Sequence, residues 1–153
     1  MKDASPAFRK LDNGKIVPIG YQRVNCHMIF DIKMKYLCRR ARLIAIGHMT
    51  DPPSTVTYSI ILSRETVNIA LKLVALNDLL VKVANIKNAY IMAPVTEKIW
   101  PFLGRMFGED AGRKVIIVHA LYGLKSARVA FQNHLTDCMH HLGFIPCHTD
   151  LDL

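Results

Sequence analysis

The sequence lacks the features that would place it in a membrane or outside the cell. No apolar run approaches the roughly 20 residues that a transmembrane helix needs, and residues 1–10 contain no apolar stretch of the kind found in signal peptides. Only four cysteines are present, and they form no C-x-x-C pair. We therefore expect an intracellular protein, cytoplasmic or nuclear, that is not secreted, binds no membrane and keeps its cysteines reduced.

Acidic residues are also scarce, which bears on the class of partner. The chain holds 20 Lys and Arg against 12 Asp and Glu, a formal net charge of +8. The excess lies in residues 1–50, where ten basic and three acidic residues give +7. A basic N-terminal part predicts a polyanionic partner, most simply nucleic acid. The alternative is a basic, well-solvated surface with no partner.

The chain has no internal repeat and few low-complexity runs, which argues for a globular chain and against a disordered one. Its 153 residues, 51% of them hydrophobic, predict one globular domain of mixed α/β (α+β) class. Residues 1–20 carry prolines and glycines among charges and predict a lead-in segment with one short strand at 15–18. Residues 21–153 form the domain proper.

A basic β-hairpin is predicted in the first third of the domain. Residues 24–33 and 40–46 are rich in strand formers, and the residues between them are few enough for a hairpin loop. Side chains alternate along a strand, so Arg40 and Arg42 share one face of the return strand.

Two helices and a buried strand follow from the pattern of apolar residues. Ser63 is a good N-cap for a helix over residues 64–76, which is apolar on most sides and should be well buried. The continuous apolar run at 114–119 predicts a strand covered on both faces. A clean apolar stripe predicts a helix over 126–142, with Gly143 as its C′ residue.

Residues 80–92, LVKVANIKNAYIM, are the stretch around which the chain is organised. Val81 and Val83 alternate with Lys82 and Ala84, which predicts a strand over residues 80–84, and residues 89–92 predict a short helical turn. Asn85 stands where the strand ends, a place where many α/β folds present a reactive group. The residues alone favour the simpler alternative that Asn85 is a turn residue.

This stretch, together with ALYGLKSA at 120–127 and RRARLIAIGH at 39–48, resembles the reverse transcriptase of copia-type LTR retrotransposons. Further blocks follow the same order, among them TYSIILSRETVNIA at 57–70, EKIW at 97–100 and HLGF at 141–144. The resemblance implies the fingers and the first part of the palm of a right-hand polymerase, α/β with a mostly antiparallel sheet.

The same resemblance raises a doubt about catalysis. The family carries a metal-binding Asp where this chain has Asn85, and two more carboxylates on a Y-x-D-D hairpin that this sequence does not contain; Asp150 and Asp152 do not match that motif. The intact family uses Mg²⁺, a hard ion that prefers anionic oxygen, and a neutral amide cannot compensate its charge. We expect no cofactor and no catalysis by this chain alone.

Five other residues match positions with roles in the family. Arg40 and Arg42 correspond to the fingers segment that contacts the triphosphate of the incoming nucleotide, or else form a charged face in water. Tyr90 resembles the aromatic residue under the nucleotide sugar, or is a core aromatic. Gly123 and Lys125 belong to a template-and-nucleotide loop, with Gly123 suited to a positive-φ turn.

The resemblance therefore implies a reverse-transcriptase-like fragment without activity. The alternatives are a non-catalytic module that binds an RNA or DNA primer–template, and a structural or interaction remnant of the fold. A palm without its last strands leaves an apolar face uncovered, so self-association through that face is also expected. No metal site is expected: a zinc set from Cys138, His140, His141, Cys147 and His148 fits no standard spacing.

Overall fold

The computed structural model describes residues 7–12, 14–34, 37–52, 57 and 62–145. Within these ranges the strands are β1 (Phe8–Lys10), β2 (Gln22–Arg23), β3 (Cys26–Lys33), β4 (Cys38–Ala45), β5 (Ile99–Trp100) and β6 (Val115–Ile117). The helices are α1 (Arg64–Leu76), α2 (Ala89–Met92) and α3 (Ala127–His141). Tight 3-10 turns at Gly47–Met49 and Arg105–Asp110 lie after β4 and before β6.

The strands pair in three small sheets of two strands each. β1 pairs with β6 and β3 with β4, both antiparallel, whereas β2 pairs in parallel with β5. The mixed α+β class with mainly antiparallel pairing is thus confirmed. The lead-in strand predicted at 15–18 was wrong: that stretch is irregular and largely exposed, and the strand lies at β1, where Phe8 packs edge-on against Phe107.

The predicted hairpin is confirmed with nearly the predicted bounds. β3 and β4 pair along their whole lengths, from Cys26 opposite Ala45 to Lys33 opposite Cys38. The core-side end of β4 is buried, and exposure rises toward the tip. The hairpin is therefore an arm that is fixed at one end and projects into solvent at the other.

The core surrounds β6 and the loop that follows it. Ile117 and Leu121 are fully buried, and Ala45, Ile99 and Leu124 belong to the same apolar cluster. β6 is buried at every position, as its continuous apolar run predicted. Because the cluster includes the last residue of β4, burial of apolar surface also holds the base of the hairpin in place.

Helix α1 has the predicted bounds but not the predicted burial. Ser63 caps it, accepting a hydrogen bond from the amide of Thr66 at 3.0 Å. No residue of α1 is buried and none belongs to the core cluster. The prediction that α1 is well buried was wrong. An apolar composition makes burial of a helix favourable, but burial occurs only where another element packs against the helix.

The strand predicted at 80–84 was also wrong. Residues 79–86 are irregular and exposed. The alternating pattern is present, but a strand is stabilised by a hydrogen-bonded neighbour, and no described strand lies beside this segment. The short helical turn predicted after it is confirmed as α2.

Helix α3 completes the fold and follows its prediction closely. It ends one residue before Leu142, and Gly143 takes a φ of 86°, the left-handed conformation expected at C′. Its N-terminal residue Ala127 belongs to the core, and α2 packs against α3. The start of α3, the loop before it and the base of the hairpin therefore meet at one place.

Candidate nucleic-acid interface

The basic face of the hairpin carries Arg40 and Arg42. Both project to the same side of β4, with Arg40 opposite Asp31 and Arg42 opposite Ile29. Arg40 is exposed and Arg42 half-buried. Asp31 lies on this face too, and its carboxylate is 4.0 Å from the Arg42 guanidinium. With Lys33 on the same face, three positive charges stand against one negative charge, so the face is basic overall.

The other face of the hairpin is mostly apolar, with Arg39 opposite Ile32 as its one charged residue. Cys26 and Leu43, near the base, pack against the core cluster. Toward the tip, Phe30 and Ile32 are exposed. The hairpin therefore uses its apolar face for anchoring at the base, which leaves its basic face open to solvent.

A seam between two backbones fixes the base of the hairpin, and two glycines form it. The amide of Ala45 donates to the carbonyl of Tyr122 at 2.8 Å. Gly123 has a φ of +89°, and a Cβ there would lie only 2.0 Å from the carbonyl oxygen of Ala45. At Gly47 a Cβ would lie 2.4 Å from the carbonyl oxygen of Gly123. Only glycine fits this close approach at either position.

Lys125 reinforces the same seam. Its Nζ donates to the carbonyl oxygen of Thr50 at 2.5 Å, and the Thr50 hydroxyl donates to the carbonyl of Gly47 at 2.7 Å. The ammonium group is thus held by the backbone just after β4. The positive-φ turn predicted at Gly123 is confirmed; the roles of Gly123 and Lys125 toward a template or nucleotide remain predictions.

Tyr90 lies in an aromatic cluster next to this seam. Its ring meets the ring of Tyr122 edge-on, with centroids 4.7 Å apart, and the ring of Phe131 at 6.1 Å. The side chain is half-buried and packs against the core. These contacts give Tyr90 a structural role in joining α2 to α3, while its position under a nucleotide sugar stays a prediction.

Asn85 lies apart from these groups in the irregular stretch 79–86 and is exposed. Its neutral amide is not a ligand set for Mg²⁺, which needs anionic oxygens. Across the described ranges, no group of three or more His, Cys, Asp or Glu side chains is placed to hold a metal ion. Asp150, Asp152, Cys147 and His148 lie outside those ranges. The described residues therefore do not fit the pair of metal ions that polymerase chemistry uses.

Sequence reasoning missed two contributors to the seam region, Gly47 and Glu97. One carboxylate oxygen of Glu97 accepts a hydrogen bond from the amide of Ser126 at 2.9 Å, at the start of α3. A negative charge there also interacts favourably with the helix dipole. The partners are 29 residues apart, so no local pattern signals the pair, whereas Gly47 directly after a strand was a visible signal.

Cys26 lies at the base of the hairpin, half-buried against the core cluster. Burial raises the pKa of its thiol to about 11. The thiol is therefore protonated at neutral pH and behaves as a small apolar side chain rather than as a nucleophile.

Comparison with known proteins identifies no relative: no protein-family model, no curated protein and no solved structure matches this chain. Among the residues described, no helix is long and apolar enough to cross a membrane. The basic hairpin face, the glycine seam and the aromatic cluster are neighbouring features of the described residues.

Proposed function

We propose that this chain is a reverse-transcriptase-like fragment without polymerase activity, whose retained activity is binding of nucleic acid through the basic face of the hairpin. The observation that carries the proposal is the placement of Arg40 and Arg42 side by side on an arm with a fixed base. Guanidinium groups at this spacing suit the phosphate oxygens of a nucleic-acid backbone.

The charge distribution supports a polyanion as the partner. The +7 of residues 1–50 accounts for nearly all of the net charge of +8. A surface of this kind attracts phosphates without reading sequence, and its affinity falls steeply as salt rises. Asp31 weakens the basic face and limits the expected affinity, because its carboxylate lies within 4.0 Å of Arg42.

The meeting of four sequence blocks at one loop supports the resemblance to copia-type reverse transcriptases. The block containing Gly47 lies against the block containing Gly123. Tyr90, of a third block, packs on Tyr122, and Glu97, of a fourth, binds the amide of Ser126. Four blocks that are distant in sequence are therefore adjacent in space around one loop.

The side chain at the position of the family's metal ligand argues against catalysis. Two-metal nucleotidyl transfer needs clustered carboxylates, and the position that resembles the family's Asp is occupied by Asn85. The fingers would then hold nucleic acid without extending it.

Fluorescence anisotropy with a labelled RNA–DNA primer–template, titrated at several salt concentrations, tests the proposal. The double variant Arg40→Ala/Arg42→Ala should bind more weakly and lower the slope of log K against log salt by about 2, since each lost phosphate contact removes roughly 0.9. The matched control is Arg64→Ala/Arg128→Ala, which removes the same charge from exposed positions on α1 and α3.

Equal weakening by the two double variants would assign the binding to net charge and refute the role of the hairpin. Absence of binding at low salt would refute the nucleic-acid proposal altogether. It would leave the third alternative, a structural or interaction remnant of the fold.

A further inference from the structure

Residues 79–86, named here the unpaired segment, combine a strand-forming sequence with an unusual environment. The segment alternates valines with Lys82 and Ala84, contains no proline and carries one charge. Leu80 is 90% and Val83 93% exposed. Side chains of this type favour a pleated, half-buried surface, and here they contact mainly solvent.

The backbone of the segment also has few hydrogen-bond partners among the described residues. The amide of Leu79 donates to the carbonyl of Val74. Beyond it, the amides and carbonyls of residues 80–86 form no main-chain hydrogen bond with any described residue. An exposed strand-forming segment with free amides and carbonyls is a template for pairing with another chain.

We propose that the unpaired segment is an interface with a second copy of this chain, formed by antiparallel pairing of the segment with itself. A two-fold axis through Val83 places Val83 opposite Val83 of the other copy, and Lys82 opposite Ala84. Leu80 then faces Ile86. Centring on Lys82 instead would oppose two ammonium groups, which is unfavourable. Centring on Val83 pairs the most exposed β-branched residue of the segment with the same residue of the other copy.

Apolar surface for the pairing is exposed on the segment and beside it. Five apolar residues of the segment and Leu76 at the end of α1 are exposed. Together they expose on the order of 800 Å² of residue surface, which is the upper limit of what pairing can bury and is similar to the roughly 800 Å² that each partner buries in a standard interface. A symmetric strand pair buries the same patch on both copies.

The pairing is independent of nucleic-acid binding, because Arg40 and Arg42 belong to the hairpin and not to this segment. Either proposal can fail while the other holds.

Sedimentation velocity of the full chain from about 1 to 100 μM tests the pairing in solution. The expected result is a concentration-dependent dimer. Val83→Asp places two carboxylates opposite each other and should weaken the dimer at least tenfold. Ile16→Asp, which changes an apolar residue of similar exposure in a different region, should leave it intact. A monomer throughout the range, or oligomers that Val83→Asp leaves unchanged, would overturn the proposal.

A cross-link tests the register with a substitution at an exposed position. Residues directly opposite in an antiparallel pair have Cα atoms roughly 4.5–5.5 Å apart, within the range of a disulfide. Val83→Cys should therefore form a disulfide-linked dimer under mild oxidation. The background from native cysteines is measured with the unmodified chain and with Ile16→Cys. Dimer yield no higher than that background would refute the register on Val83.

Discussion

The glycine seam makes a quantitative prediction for Gly123→Ala. The substitution adds one methyl group at a residue whose φ is +89°. That methyl carbon would stand 2.0 Å from the carbonyl oxygen of Ala45 and 2.9 Å from Cγ2 of Ile44. The first obstacle is backbone and cannot rotate away, so β4 and the loop must separate.

Two costs add at this position. Holding a residue other than glycine in the left-handed region costs roughly 1–2 kcal/mol. Forcing packed groups apart costs about 1–3 kcal/mol, and separation weakens the hydrogen bond between Ala45 and Tyr122. We expect Gly123→Ala to lower the free energy of unfolding by about 3–5 kcal/mol, a large part of the ~5–15 kcal/mol of a typical domain.

Urea unfolding followed by circular dichroism measures this loss, and another glycine separates the two costs. Gly14 has a φ of +92°, and among the described residues none apart from its chain neighbours lies within 4 Å of the place where a Cβ would stand, so Gly14→Ala carries the backbone strain alone. Its expected cost is about 1–2 kcal/mol. The reasoning is refuted if Gly123→Ala destabilises the chain no more than Gly14→Ala does, because the contact with Ala45 would then contribute nothing.

Three further predictions concern the acceptor at the start of α3, the half-buried thiol of Cys26 and the neutral amide of Asn85. Glu97→Ala should lower the free energy of unfolding by about 1 kcal/mol in the same assay, since the Ser126 amide loses its acceptor and the start of α3 loses a negative charge. The control Glu109→Ala, at an exposed position, should change the free energy of unfolding by no measurable amount. The folded state holds the Cys26 proton more tightly than the unfolded state, so the protonated thiol adds to the free energy of unfolding in full below about pH 9, and this addition is lost as pH rises toward 11. The free energy of unfolding should therefore be about 2 kcal/mol lower at pH 10.5 than at pH 8. Cys26→Ala should remove that part of the difference between the two pH values. Asn85→Asp should give no primer extension in Mg²⁺, because one carboxylate cannot hold two metal ions, and measurable extension by that variant would contradict the argument against catalysis.

Local signals in the sequence located the elements that depend on local interactions. Ser63 caps α1 through the amide of Thr66, three residues away, and the bounds of the helix follow. Gly123 and Gly143 take the positive φ values that their positions in a turn and after a helix required. The hairpin has a short connection, so its pairing was also visible in sequence.

The predictions that were wrong concern elements that depend on interactions between distant parts of the chain. β1 forms because Phe8 pairs with Ile117, more than one hundred residues away, and the sequence around Phe8 shows no alternation. The strand pattern at residues 80–84 expresses a real preference, but no partner strand is present among the described residues. In the candidate site, the bond between Glu97 and Ser126 could not be predicted for the same reason.

The seam at the base of the hairpin also determines how far its tip can travel. Arg40 lies five residues from Ala45 along β4, a distance of roughly 17 Å at about 3.3 Å per residue. A rotation of only ~5° about the base would move the Arg40 backbone by about 1.5 Å, half the length of a hydrogen bond. A small rotation at the base is therefore amplified along the hairpin. The close backbone contact at Gly47 and Gly123 limits that rotation, and so sets how precisely the guanidinium groups can meet a pair of phosphates.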